Sequence, residues 1–398
     1  MKNFATVEEI KAFVDKQMAT RWNVVTGKVE CRWTTSPDFP EPHNALTWAL
    51  YDWHDMSDRD ENTLWVRMNM KRQCRMADIV NVLRSEYTME YNPIRDYLDE
   101  LPLWDHVNDY VEQLARHVHV IPEGRETAED AHKRFKLYLI KWLMGLVAGA
   151  MDDAVVNNMV LVLIGEQGIY KTTFFNNLLP PELQRYFYTK PNADRLTKDD
   201  RINMSRFWLI CMEELDTMTP SEMNQLKAMV TMRTINERPA YGRNVVQYPH
   251  IASFCGTGNN QQFLNDPTGT RRWLPVEVSR IDPPDEWFMN YRGLYGQVKY
   301  LYSIGYPYWF NEEESAQLQL HNRQYEAVNL EQELIEKYYL PANSLDEGTW
   351  ISTAEIIETI GRSMKHKMTP VKVGHAMRRL GYHQKKTNTG ARYLAVKK

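Results

Sequence analysis

Residues 159–173 read MVLVLIGEQGIYKTT: an unbroken apolar run, a glycine-bearing turn, then Lys-Thr-Thr opening a helical stretch. Met159 to Ile164 is rich in Val, Leu and Ile, as expected of a strand buried on both faces. Gly165 and Gly168 let the backbone turn sharply, so that its N–H groups point into one concavity and meet a helix N-terminus. That is a phosphate-binding loop, and it makes ATP with Mg²⁺ the expected ligand. Its candidate contacts are Gly165, Glu166, Gln167, Gly168, Ile169, Tyr170, Lys171, Thr172 and Thr173. Lys171 is placed to reach the β- and γ-phosphates, and the Thr172 hydroxyl to ligate Mg²⁺. The spacing fits G-x-x-x-x-G-K-[ST] with one departure: Tyr170 stands where the second glycine belongs. An incidental lysine after a strand and turn is the bland alternative.

Working outward, 398 residues with 43% hydrophobic and 25% charged residues describe a globular chain of two or three domains. The four cysteines (31, 74, 211 and 255) form no C-x-x-C pair, so neither a zinc site nor a disulfide framework is expected. No apolar run approaches the roughly 18 residues of a membrane span, and the N-terminus is amphipathic rather than a signal peptide. The expected location is a reducing cytosol.

The net charge of −4 hides an asymmetry: from Gly361 to Lys398 there are eleven Lys/Arg and no Asp or Glu. A basic tail on an acidic body points to nucleic acid more than a neutral total does.

The periodicity predicts a mainly helical domain over 1–120, a P-loop domain over 121–310, a helical connector over 311–345 and a basic domain over 346–398. Strand-like runs at 159–164, 207–212, 251–255 and 273–278, with helical stretches between, are the layout of an α/β domain with a largely parallel sheet. The stretch 132–151 reads as a buried helix leading into the P-loop strand. At the end, two helices followed by two short strands around Asn388–Gly390 follow the order of a winged helix.

Hydrolysis needs acids beside the loop. RFWLICMEELD (206–216) ends an apolar run in Glu213 and Glu214, which at the carboxyl end of a parallel strand would emerge beside it. Glu214 is assigned as the base that activates water, and Glu213 to the metal; a solvated strand end is the alternative. YPHIASFCGTGNN (248–260) turns polar at Thr257–Asn260. A strand between the P-loop and acidic strands would bring the neutral amide of Asn259 to the γ-phosphate and the lytic water, although Asn-Asn is also a turn signal. GTRRW (269–273) sets Arg271 and Arg272 before another strand. They are arginine-finger candidates, which ring ATPases supply from the neighbouring subunit, or else structural and solvated arginines.

GEQGIYKTTF, WLICMEEL, LKAMVTMRTINERPAYGR, FCGTGNNQQFLNDPTGTRRWLPV and NPIRDYLDELPLWD together resemble the virulence-associated protein E family. These are P-loop proteins of bacteriophages and genomic islands, related to superfamily 3 helicases within the AAA+ class. The resemblance covers residues 90–280. It implies ATP-dependent unwinding or remodelling of single-stranded or forked DNA during replication of a mobile element, usually by a hexameric ring. It carries over Lys171 and Thr172 as phosphate and metal residues, Glu214 as the acidic catalytic residue, Asn259 as sensor, and Arg271 and Arg272 as finger candidates. Relatives often lack an acid at the position of Glu213, which puts its metal role in doubt. Longer relatives carry a primase-like segment; the residues before the P-loop here show no acidic triad, and no primase is expected.

In the tail, Arg378 and Arg379 on the second helix, with Lys385, Lys386 and Arg392 on the hairpin, would form one basic face for DNA phosphates. Protein docking is the alternative. For the whole chain, the alternatives to a DNA-translocating oligomer are a nucleotide-gated DNA-binding initiator without processive unwinding and a small-molecule or nucleotide kinase. A basic winged helix has no place in the latter.

Overall fold

A capping box opens the first helix, Val7–Gln17: the Thr6 hydroxyl accepts from the Glu9 amide and the Glu9 carboxylate from the Thr6 amide. The computed structural model describes residues 4–34, 52–191, 196–238, 244–264, 270–326, 330–342, 344–361, 368–387 and 390–398. Gly269, Asn388 and Thr389 lie outside them. The chain divides into two units: Met1–Gln261 with Asp266–Arg323, and Gln262–Asn265 with Gln324–Lys398.

After the first helix, β1 (Met18–Asn23) and β2 (Lys28–Trp33) form an antiparallel hairpin. β3 (His54–Asp55) and β4 (Glu90–Tyr91) flank it in the order β3-β2-β1-β4. Helices Val7–Gln17, Asp58–Lys71 and Met76–Leu83 supply Ile10, Val14, Leu64 and Ile79 to a core beneath the sheet. The sequence reading expected helices here and no sheet. β1, MATRWN, is half-exposed over its four middle residues and lacks the clean alternation that marks a strand. Asn23 ties the hairpin inward, its amide donating to Tyr186 Oη at 2.8 Å and Glu30 Oε1 at 2.6 Å.

The helix Ala128–Met151 is buried on every side from Lys141 to Ala150, which its all-round apolar surface requires. It is pinned to the central sheet by tryptophan: Trp142 Nε1 donates to Phe254 O at 2.9 Å, and Trp208 Nε1 to Leu146 O at 3.0 Å. That sheet consists of β5 (Val118–Val120), β6 (Val160–Ile164), β7 (Phe187–Lys190), β8 (Leu209–Met212), β11 (Ser253–Gly258) and β12 (Trp273–Ile281). A separate hairpin pairs β9 (Thr234–Glu237) with β10 (Val246–Pro249). The strand order is β5-β12-β6-β11-β8-β7, parallel throughout except for β5. All residues of β6, β8 and β11 are buried. The carboxyl ends of these three strands lie side by side, β11 in the middle, where the sequence placed it.

The segment read as a connector is in part a buttress of this unit. Within the helix Glu312–Asn322, Glu314 accepts from the buried ammonium of Lys141 at 2.7 Å. Asn322 donates to the carbonyls of Thr270 and Trp273 at 2.7 and 3.0 Å. Its polar sequence conceals a buried role because the partners are backbone and a single lysine.

The second unit has its own core, including Ile335, Tyr339, Ile356, Val373, Met377 and Tyr393. Helices Leu330–Tyr338, Thr353–Gly361 and Pro370–Arg379 pack with β13 (Tyr339–Pro341), β14 (Thr349–Ser352), β15 (Gln384–Thr387) and β16 (Gly390–Lys397). β16 pairs antiparallel with the other three strands.

Candidate functional site: a phosphate cleft at the ends of three strands

β6 runs into the loop at Gly165, whose amide donates to Gly258 O at 3.2 Å and so ties the loop to β11. No side chain fits here: a Cβ on Gly165 would stand 2.4 Å from Val278 O. Gly168 has φ +87°, open to glycine at no steric penalty. Tyr170 also adopts a left-handed conformation, φ +65° and ψ +19°, immediately before the helix Lys171–Asn176. The backbone geometry that the missing glycine would adopt freely is thus present, held by a tyrosine.

Lys171 is buried, and its ammonium donates to Gly165 O and Glu166 O, each at 2.6 Å, and to Asn259 Oδ1 at 3.3 Å. Burial holds its pKa below the ordinary lysine value, with the Asp216 carboxylate opposing that shift. Thr172 Oγ1 donates to Glu213 Oε1 at 2.7 Å, the pairing a hydroxyl and a carboxylate on one cation would need. Glu213 follows β8 and its amide donates to Lys190 O at 3.1 Å. Glu214 is exposed and left-handed, φ +54° and ψ +43°, a strained backbone of the kind that gathers at functional sites.

The structure adds a residue the sequence reading passed over. Asp216 accepts from the amides of Asn259 and Asn260 at 3.3 and 3.2 Å, and from Asn260 Nδ2 at 2.6 Å. It therefore fixes the turn that carries Asn259. Gly256 makes room for this arrangement, since a Cβ there would stand 2.2 Å from Leu215 Cδ1. Asp216 closes the quoted run MEELD, and a carboxylate facing a following Asn-Asn turn was the available signal.

Together these elements bound a cleft of about 370 Å³ lined by Gln167, Gly168, Tyr170, Lys171, Thr172, Thr173, Glu213, Glu214, Thr257 and Asn259. This is the size of a small-ligand site. Gly165, Glu166 and Ile169 do not line it: Glu166 serves through its carbonyl, and Ile169 packs against the core.

Arg271 and Arg272 are not brought to this cleft. They occupy the turn Thr270–Arg272, just before Trp273, which pairs with Val160 at the start of β6. The loop leaves the other end of β6, whose last residue Ile164 pairs with Glu277; at about 3.3 Å per residue the strand alone separates them by ~13 Å. Among the described residues neither arginine pairs with a carboxylate.

In the second unit, Arg378, Lys385 and Lys386 are exposed. Arg379 is not free for a ligand, because it pairs with Glu326. Arg392 stands across from Lys385 in the hairpin. Glu355, whose carboxyl is held low by hydrogen bonds from Ser352, is lowered further by Arg392. The basic face is narrower than the sequence count, because its acidic partners come from residues before Gly361.

A largely parallel sheet with this loop at the end of a buried strand defines an α/β protein of the P-loop type. The chain belongs to the virulence-associated protein E-like family, whose domain matches residues 104–327. Among solved structures it is similar to the apo NrS-1 C-terminal region (305–718), at 12% identity and a TM-score of 0.48, covering 97% of each chain. The A form of that region gives 13% identity and a TM-score of 0.46, over 97% of this chain and 98% of that one. A point mutant of Thermotoga maritima RuvB gives 10% identity and a TM-score of 0.26, over 67% of this chain and 92% of that one. No curated protein matches. Among the described residues, no helix is long and apolar enough to cross a membrane.

Proposed function

We propose that this chain is an ATP-hydrolysing, DNA-binding motor that acts as a homo-oligomeric ring in the replication of a phage or mobile element. The observation that carries the reading is the meeting of Lys171, Thr172, Glu213 and Asn259 in one cleft at the ends of β6, β8 and β11. Lys171, released from the loop carbonyls, binds the β- and γ-phosphates. Thr172 and Glu213 hold Mg²⁺, which supplies charge neutralisation on the phosphates when bound. Glu214 takes the proton of the attacking water, and Asn259 orients that water against the γ-phosphate.

Arg271 and Arg272, at the far end of the sheet, suit a neighbouring subunit's cleft. The second unit is read as a winged helix: helix, two strands, two helices and a hairpin in that order, with Arg378, Lys385 and Lys386 facing DNA. The N-terminal part is read as a domain contributing to oligomer contacts.

A slower, nucleotide-gated DNA-binding initiator is the second reading, favoured by the strained Tyr170 and by the hold of two carbonyls on Lys171. ATPase activity of wild type and Glu214→Gln, with and without single-stranded DNA, separates the two. DNA stimulation in wild type and loss of roughly 10²-fold or more in Glu214→Gln supports the motor. Nucleotide-dependent DNA binding without stimulated turnover supports the initiator, and no nucleotide binding at all overturns both.

A further inference from the structure

We propose that Cys31, His54 and Asp60 form a binding site for a single divalent transition-metal ion of the zinc class, sharing no residue with the phosphate cleft. β2 and β3 pair so that Cys31 stands opposite His54, and Asp60 lies in the first turn of the helix Asp58–Lys71. Cys31 Sγ is 3.5 Å from His54 Nε2, His54 Nε2 is 3.4 Å from Asp60 Oδ2, and the three ligand atoms all lie within 4.8 Å of one another. A tetrahedral ion bound at about 2.3 Å to sulfur and about 2.0–2.1 Å to nitrogen and oxygen holds S and N about 3.5 Å apart. It holds N and O about 3.4 Å apart. The observed separations are those of a ligand set with the ion removed.

The tautomer agrees. His54 Nδ1 lies 2.8 Å from Asp52 O, a carbonyl that only accepts, so Nδ1 carries the proton. In the neutral ring Nε2 then turns its lone pair toward the thiol and the carboxylate, the orientation of a metal-ligating histidine. A lone pair facing a carboxylate is unfavourable unless a cation or a proton stands between them.

The surroundings support the same reading. Cys31 is 0% and Asp60 3% exposed. Trp33 Nε1 donates to Asp60 Oδ1 at 2.8 Å and the Ser57 amide to Oδ2 at 2.9 Å, fixing the carboxylate. The His54 side chain, 24% exposed, leaves an entry side where water can complete four-coordination. Thiolate, imidazole and carboxylate together select a zinc-class ion over Mg²⁺ or Ca²⁺. Binding replaces the thiol proton, which passes to solvent.

The test titrates Co²⁺ into the full chain after chelator treatment, then displaces it with Zn²⁺. One equivalent per chain should give a thiolate-to-cobalt charge-transfer band that Zn²⁺ abolishes. The band should vanish in Cys31→Ser and in His54→Ala and persist in Thr172→Ala, which separates this site from the cleft. Zn²⁺ should raise the melting temperature of wild type and not that of Cys31→Ser. Should Cys31→Ser fail to fold by circular dichroism, the half-exposed His54→Ala carries the comparison. No band in folded wild type, or a band that survives in the folded variants, overturns the proposal and leaves a protonated His54 bridging thiol and carboxylate.

Discussion

Asp216 does not line the cleft, yet it should matter to turnover. Its Oδ1 accepts from the Asn259 amide at 3.3 Å, and its Oδ2 from the Asn260 amide and side chain at 3.2 and 2.6 Å. In Asp216→Asn only one oxygen remains. If that oxygen keeps both bonds to Asn260, the new amino group faces the Asn259 N–H, donor against donor. Hydrogen bonds to charged groups net about 1.5–3 kcal/mol, and this exposed one belongs at the lower end, about 1.5 kcal/mol. Falling on the placement of Asn259 in the transition state, that is a loss of roughly tenfold in turnover. Nucleotide affinity should change less, since the loop amides are untouched and Lys171 loses only the influence of the Asp216 charge. Steady-state ATPase rates and a fluorescent-nucleotide titration measure the two separately. The decisive comparison adds Asn259→Ala and the double variant. If Asp216 acts through Asn259, the double variant turns over no more slowly than Asn259→Ala alone. Multiplied losses in the double variant, or unchanged turnover in Asp216→Asn, would refute the reasoning.

Lys171→Ala should abolish tight ATP binding, measured by equilibrium dialysis, because no other cation stands inside the loop. Replacing Arg378, Lys385 and Lys386 together by Ala should make the salt dependence of DNA binding shallower by up to about 2.7 in log–log slope on duplex DNA, at about 0.9 per lost phosphate contact; an unchanged slope moves the DNA contact elsewhere. An Arg271→Ala, Arg272→Ala double variant mixed with Lys171→Ala should regain measurable ATPase, because one of the two kinds of mixed interface joins an intact cleft to intact arginines; mixed oligomers as inactive as their parents would remove the shared-site ring. His250, buried with Nδ1 2.6 Å from Met232 O, is held by burial below the ordinary histidine pKa. The unfolded chain therefore takes up the proton first, and stability should fall as pH drops through about 6.5. His250→Phe should melt lower near neutrality but lose less melting temperature between about pH 7 and about pH 5.5.

What could be read from the sequence follows from how each element is buried. β6, β8 and β11 are enclosed on both faces, so they stand out as apolar runs with polar residues waiting at their carboxyl ends. β7, FYTK, is half-buried throughout, and β5 has three residues, too short for any period to register. The N-terminal sheet escaped for the same reason, and its Cys31, His54 and Asp60 escaped a search for closely spaced ligands because strand pairing, not sequence spacing, brings them together. Charge counting misled in a related way: a run of eleven basic residues cannot show that Glu326 and Glu355, both before that run, attend to Arg379 and Arg392.

Tyr170 is where the two levels inform each other most. The motif asks for glycine because the loop must pass through a left-handed residue to aim its amides at phosphate. The structure keeps that residue left-handed at φ +65° although it carries a large side chain. An L-residue there is disfavoured by roughly 1–2 kcal/mol, and the conformation persists because its neighbours impose it. Gly165 is locked between Gly258 O and Val278 O on one side, and the helix from Lys171 is anchored by buried Phe174 and Phe175 on the other. The loop's geometry is thus set by the strand and helix it joins rather than by the flexibility of the residue between them. A side chain at that position, half-exposed at the cleft, can then be varied without dismantling the phosphate cradle.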